Sequence, residues 1–362
     1  MKNTIFQWTM GCFGVVFSLM ADAAEQIALL GDYGPFWGGD VRCQAEHCLL
    51  VAVAHEKGRA VILKNQERKW TVVGEISTAY HPDGAAWLDD TRVAVAVEGS
   101  QTLELAEVVE EAIKPLGSLP VGFSPRDVRV LPNGSAREVD LLASPYSGNA
   151  LAHFPAVKSG EWGEPRKWEV CATPWHPSVQ ATKDGVRVAV GCLDDKRVQL
   201  WEKQGTNGWK HLAEWQMPQV PRHAVFSRDG QRLYVALELG GKVAVIDVKQ
   251  SDRPVRWIPL PSWGAVSVAE MADGTIAWGE DRRVFLQRCD WQAGQCVTKA
   301  LPATGFPDNL RVADLDQDGH EDLIVFNGSG KGIDLWYGPL FEAAEPIGEP
   351  VTILEGREGG RE

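Results

Sequence analysis

After its N-terminal segment the chain has no apolar run approaching the ~20 residues that cross a bilayer as a helix, which argues against a later transmembrane helix. It also lacks a basic excess. Lys and Arg total 36 against 49 Asp and Glu, for a net charge of -13 spread along the chain. Phosphate neutralisation needs a basic face, so nucleic acid is excluded as a partner. Catalytic signatures are missing too: no G-x-S-x-G elbow, no H-E-x-x-H, no C-x-x-C-H and no phosphate-cradling glycine loop. Amphipathic helical patterning is confined to LAEVVEEAI, residues 105–113, where a helix is expected.

What is present begins with MKNTIFQWTMGCFGVVFSLMADAAEQ, a lysine followed by an apolar run and small residues, read as a signal peptide over residues 1–24. Export to the periplasm or outside the cell is expected. Seven cysteines become six once this segment is removed, an even number suited to disulfides in an oxidising compartment. Cys43 with Cys48 and Cys289 with Cys296 are spaced to staple hairpin arms, which leaves Cys171 with Cys192.

The remaining length calls for either several domains or a repeat, and a repeat is there. FSRDGQRLYVALELGGKVAVIDV, residues 226–248, reads as strand, tight Asp-Gly turn, alternating strand, Gly-Gly turn and strand. The same order recurs at 179–203 and 266–289, more weakly from Pro82 and Pro125, and in modified form from Asp40 and Pro307. A fourth apolar stretch follows each copy, such as WTVVGEI at 70–76 or VRWIPLP at 255–261. Seven four-stranded units at a period of about 40 to 50 residues predict an all-β seven-bladed propeller over residues 25–354. A pair of β-sandwiches is the alternative, and residues 355–362 are expected to be disordered. The ring is expected to close with the N-terminal strand near IALLGD rather than with VTIL at 351–354.

The FSRDG, LYVA and VAVIDV segments resemble the YVTN and NHL-type repeats of secreted and periplasmic propellers. That resemblance covers nearly the whole mature chain and speaks to fold, since propellers host binding modules, hydrolases, lyases and redox enzymes alike.

Two groups of residues stand out. In DLDQDGHED, Asp314, Asp316, Asp318 and Asp322 fall at positions 1, 3, 5 and 9 around Gly319, a spacing that lets one loop wrap oxygens around a hard cation. The backbone carbonyl of His320 is a further candidate ligand. The flanks are strand-like and position 12 is Val325, so the loop is not an EF-hand. It resembles the calcium loops of FG-GAP and VCBS-type repeats, which implies bound calcium. Because Asp318-Gly319 sits where other units carry only a hairpin turn, the ion is expected to be structural.

The second group lies where chain segments enter the innermost strands: HPDGA at 81, SPRDV at 124, HPSVQ at 176, PRHAV at 221 and FPDNL at 306. Their convergence brings Asp40, His81, Asp83, Arg126, Asp127, His176, Arg222, His223, Asp308 and Asn309 toward the axial mouth. Such a ring suits a polar ligand or acid–base work, or is merely a solvated loop crown. The sequence therefore reads as an exported, monomeric, calcium-binding module for binding or assembly in the cell envelope, with an unknown protein, glycan or polar small molecule as partner. The alternatives are a lactonase-like hydrolase or lyase using the axial ring, and a carbohydrate-binding surface protein.

Overall fold

The computed structural model describes residues 24–26, 30 and 33–355, apart from short breaks at 110–111, 133–137, 159, 184, 206–207, 250–254, 331 and 348–350. Residues 1–23, the Asn133-Gly134 turn and residues 356–362 thus lie outside the described part. Seven four-stranded antiparallel units surround a common axis, and the fold is a seven-bladed β-propeller. The innermost strands are Phe36–Cys43, Pro82–Trp87, Pro125–Pro132, Pro174–Thr182, Val220–Phe226, Ser267–Glu270 and Pro307–Ala313, which define blades 1 to 7.

The expected repeat positions map onto these blades because second strands such as Cys48–Ala54 and Arg232–Glu238 are buried on both faces. A four-stranded sheet cannot cover both of its own faces, so each blade packs on its neighbours. One hydrophobic cluster joins Leu50, Ala52 and Val61 of blade 1 to Ile324, Phe326 and Leu335 of blade 7. Another joins Val198 and Leu200 of blade 4 to Val235 and Ile246 of blade 5.

Ala24–Gln26 pairs antiparallel with Ile333–Trp336 and supplies the outer strand of blade 7, so the N-terminal strand closes the ring. It lies slightly upstream of IALLGD and takes in Ala24, a residue the sequence reading assigned to the signal peptide. VTIL has a different place. Val351–Thr352 pairs with the outer strand of blade 6 and Leu354–Glu355 with that of blade 5. Glu355, expected in the disordered tail, is therefore in a strand pairing.

The helix expected at 105–113 is absent, and the correction has a simple cause. Thr102–Val109 and Ala112–Pro120 are paired strands. Leu103 and Leu105 are buried beside half-buried Thr102 and Glu104, a period of two that overrides the helical pattern of the short acidic stretch. Blade 3 also carries an insertion, a small hairpin of Ala156–Lys158 and Glu161–Trp162 between its third and fourth strands.

All three expected disulfides form. Cys43–Cys48 and Cys289–Cys296 link directly opposed hairpin residues, and Cys171–Cys192 ties the approach to blade 4 to its second strand. These bridges fit an oxidising compartment. Loop-closure entropy predicts that opening Cys171–Cys192, which spans 21 residues, costs about 3 kcal/mol, against about 2 kcal/mol for the five-residue Cys43–Cys48 loop. Urea midpoints of the two paired Cys→Ser variants should fall in that order, and equal midpoints would contradict it.

Candidate functional site

The axial residues are placed by a repeated backbone irregularity. Six of the seven innermost strands shift register near their start: at Phe36/Gly38, Pro82/Gly84, Pro125/Asp127, Trp175/Ser178, Pro221/His223 and Pro307/Asn309. A bulge leaves the extra residue unpaired and re-aims its side chain. The extra residues are Trp37, Asp83, Arg126, His176 with Pro177, Arg222 and Asp308. Proline at the strand start removes a donor that the ladder does not use there. The following residue must also be small where blades close in, since a Cβ on Gly84 would meet Asp127 Oδ1 at 2.6 Å.

Five of these side chains, Trp37, Asp83, Arg126, Arg222 and Asp308, form an upper layer. Arg126 Nη1 lies 3.4 Å from Asp83 Oδ1 and Nη2 lies 3.9 Å from Asp308 Oδ2, while Arg222 Nη2 lies 2.9 Å from Asp308 Oδ1. The Arg126 guanidinium sits among the rings of Trp37, Tyr146 and Trp175, at 5.0, 5.6 and 4.3 Å from their centroids. His55 Nδ1 approaches Asp83 Oδ1 at 3.0 Å. Burial alone would lower the His55 pKa, but the hydrogen bond and charge of Asp83 outweigh it and raise the value. This layer is closed rather than an open mouth: Asp83, Arg126 and Asp308 are each no more than 4% exposed.

One step deeper, Asp127 Oδ2 accepts from Arg129 at 2.7 Å and from His176 Nδ1 at 3.2 Å. Burial works to raise the Asp127 pKa, yet the Arg129 charge and the His176 hydrogen bond keep it below the usual value. Asn309 accepts from Arg311, whose Nε is 3.7 Å from Asp40 Oδ1. Burial, with Arg129 nearby, pulls the Arg311 pKa down to about 10. The His176 and His223 rings meet edge to face at 4.2 Å. Burial lowers the pKa of both. His223 goes well below its ordinary value because His176, Arg129, Arg311 and Arg222 add to the effect. The Nε2 atoms of both histidines are buried without a hydrogen-bond partner, as are Asp83 Oδ2, Arg126 Nε and Asp308 Oδ2.

A cavity of about 340 Å³ adjoins this lower layer. Arg129, His176, His223, Arg311, Arg228 and Glu270 line it, so it runs down the axis toward the Asp-Gly turns rather than toward the loops that enter the blades.

Of the residues singled out in the sequence, Asp83, Arg126, Arg222 and Asp308 meet in the upper layer. Asp127, His176, His223, Asn309 and Asp40 belong to the lower one. His81 stands aside, stacked on His55 at 4.0 Å with Glu98 at 3.4 Å. Sequence reasoning missed His55, Trp37, Trp175, Arg129 and Arg311. For the last two a signal existed: PRDVR and PDNLR place each arginine two residues after Asp127 and Asn309, on the same strand face.

The carboxylate loop lies at the far end of Pro307–Ala313, about 20 Å from Asp308 at strand rise. Asp314, Asp316 and Asp322 bring carboxylate oxygens within 4.8 Å of one another, and Asp318 stands outside that group. Backbone N–H groups organise the loop, with Gly319 donating to Asp314 and His320 to Asp318. Asp322 is fully buried and accepts from Leu315 N and Gly338 N. Burial first, then Asp316 and Asp318, push its pKa up to about 7. Arg68 pairs with Asp316. This all-oxygen donor set fits a hard cation.

Comparison with known proteins follows the fold closely. A family model described as "Lactonase, 7-bladed beta-propeller" matches residues 123–257, which span blades 3 to 5 and include Arg126, Asp127, His176, Arg222 and His223. No curated protein sequence matches. Among solved structures the chain is similar to hydrazine synthase of Kuenenia stuttgartiensis, at 14% identity and TM-score 0.63, covering 90% of this chain and 96% of that one. It is also similar to a putative 6-phosphogluconolactonase from Bacteroides uniformis, at 17% identity and TM-score 0.60, covering 84% and 92%. A putative 6-phosphogluconolactonase from Bacteroides fragilis shows 14% identity and TM-score 0.57 over 82% and 94%. At these identities the likeness is one of fold.

The buried histidines carry a stability consequence. Their folded pKa values lie below the unfolded one, so the unfolded state binds more protons and stability falls as pH drops through and below about 6.5. His55, with a raised pKa, works in the opposite direction. Asp322, pushed up to about 7, also works in the opposite direction across this range, so the histidine contribution is read by comparison: lowering the pH from 7 to 5 should cost the parent more in denaturant midpoint than it costs His223→Gln. An unchanged slope in the variant would refute the assignment.

Proposed function

We propose that the axial cavity is the active site of a lactonase-like hydrolase acting on a small anionic cyclic ester. The observation that carries this reading is the pair of buried neutral histidines, each with an unpartnered Nε2, beside a cavity whose other polar walls are mostly guanidinium groups. Asp127 accepts the Nδ1–H of His176, which leaves the Nε2 lone pair free to act as a general base. Water gives its proton to that atom as its oxygen bonds to the ester carbonyl carbon. The ring C–O bond then breaks, and the same proton passes to the departing alkoxide. Arg129 and Arg311 stabilise the developing oxyanion and the carboxylate of the product. The lactonase-type match over blades 3 to 5 supports this choice, and a cavity of about 340 Å³ suits a small ring.

A binding or assembly role is the second reading. It is favoured by Trp263, Tyr80, Leu239 and Tyr146, which stand 79, 63, 57 and 43% exposed at the end of the propeller where loops enter the blades. In either case the three disulfides support a place outside the cytosol.

Pure protein assayed by pH-stat against γ- and δ-lactones, with and without a carboxylate or phosphate, should accelerate hydrolysis of the anionic members. His176→Gln should lower kcat by about 10²- to 10³-fold. The acid limb of kcat/KM should fall below pH 6.5, since the base stays neutral to a lower pH than an exposed histidine. No acceleration over buffer, or full activity in both His176→Gln and His223→Gln, would rule the hydrolase out.

Calcium at Asp314, Asp316, Asp318, Asp322 and the His320 carbonyl is the companion proposal, and its role is structural. It would draw the three clustered carboxylates together and favour the ionised form of Asp322. An ion bound only by the native state raises stability, so EDTA should lower the Tm and added calcium should restore it. Asp322→Asn should abolish that response, and a Tm indifferent to EDTA with no copurifying ion would exclude the site.

A further inference from the structure

A second cleft lies away from the axis, between the outer parts of blades 3 and 4. It measures about 470 Å³ and is lined by Asp140, His153, Arg166, Lys203, Trp168 and Trp209 among others. Four features distinguish it from an ordinary gap between blades.

The first is its ion network. Asp140 and His153 are 4 and 5% exposed, and His153 Nε2 lies 2.7 Å from Asp140 Oδ2. Lys203 reaches across from blade 4 to the same oxygen, and Ala156 N donates to Oδ1 at 2.9 Å. Burial would raise the Asp140 pKa, but these three donors outweigh it and hold the carboxylate ionised. Lys203 is thereby fixed in place by one of its three donors, with the others left over. Second, Arg166 directly opposes His153 in the sheet and has no ion-pair partner among the described residues. Third, Trp168 of blade 3 and Trp209 of blade 4 stack at 4.5 Å and 10°, forming a flat apolar wall shared by the two blades. Fourth, the wall on the blade 3 side is completed by Pro155 and Ala156, at the root of the hairpin insertion that distinguishes this blade.

Arg166 and Lys203 outnumber the single Asp140, so this cleft is locally cationic in a chain of net charge -13. We propose that the cleft is a second ligand site, which takes a small anion carrying a planar body: a phosphate or carboxylate held by Lys203 and Arg166, with its flat face against the tryptophan pair. Charge-assisted contacts from the two cations fix the anionic end. The aromatic wall supplies apolar area and orientation, and the volume falls within the range of small-molecule sites.

Isothermal titration with phenyl phosphate, benzoate, inorganic phosphate and phenol separates the contributions. Phenyl phosphate or benzoate should bind at least tenfold more tightly than inorganic phosphate or phenol, and the better of the two identifies the anion. Arg166→Gln, an exposed change that leaves the Asp140 network intact, should weaken binding severalfold. Lys203→Met and Trp209→Ala should each weaken it about tenfold, equivalent to about 1.4 kcal/mol. His176→Gln should leave binding unchanged, which separates this cleft from the axial site. The proposal is overturned if neither probe binds, if Arg166→Gln and Trp209→Ala bind as well as the parent, or if His176→Gln abolishes binding.

Discussion

The bulge near the start of six innermost strands is the constraint on which the rest of the axis depends. By leaving one residue out of the ladder it turns a side chain that would alternate between faces toward the centre of the ring. With six blades doing so, charges from non-adjacent parts of the chain meet. Arg126 of blade 3 lies between Asp83 of blade 2 and Asp308 of blade 7, and Asp308 also receives Arg222 of blade 5. Buried ion pairs of this kind add little net stability over an apolar core, but losing one partner leaves the other charge stranded. Their value here is registry, because each pair is satisfied only when the blades hold their relative places.

The molecule handles buried charge in three distinct ways. At the axis, opposite charges neutralise one another and the histidines stay neutral. In the blade 3–4 cleft, one carboxylate gathers a lysine, a histidine and a backbone N–H. In the loop between the first two strands of blade 7, three carboxylates converge, and among the described residues Arg68 is the one cation paired with them. The first two arrangements are complete or nearly so on their own. In the third, burial and then the charges of Asp316 and Asp318 raise Asp322, and the backbone donors alone do not offset them.

The architecture was legible because a repeat is read many times over. Alternation in LYVALEL or a single Asp-Gly turn is weak alone, but seven recurrences fix both blade number and strand order. The helical pattern at 105–113 is local and the repeat overrides it: Val108 and Val109 favour a strand, and blade 2 needs one there. The site was partly legible. Proline followed by a charged residue marked Asp83, Arg126, Arg222 and Asp308, since that spacing is the bulge written in sequence. His55 and Trp37 gave no such sign, and their roles arise from blade 1 folding against blade 2. The direction of the cavity was also out of reach, because which end of the channel is filled depends on how Trp37, Trp175 and Tyr146 pack around Arg126.

That packing separates two layers with different meanings. In the upper layer every formal charge has a counter-charge within 4 Å, so its chemistry is largely spent on holding the blades. In the lower layer Asp127 is committed to Arg129 and to one nitrogen of His176, and the other nitrogen has nothing to bind. A buried, unpartnered acceptor costs free energy, and a purely structural core would remove it cheaply by substituting an apolar residue. Two such unpartnered nitrogens, on rings that meet edge to face beside a cavity, are therefore poorly explained by stability. They are well explained by a ligand or water that arrives along the axis, and it is this that favours the lower layer as the proposed site.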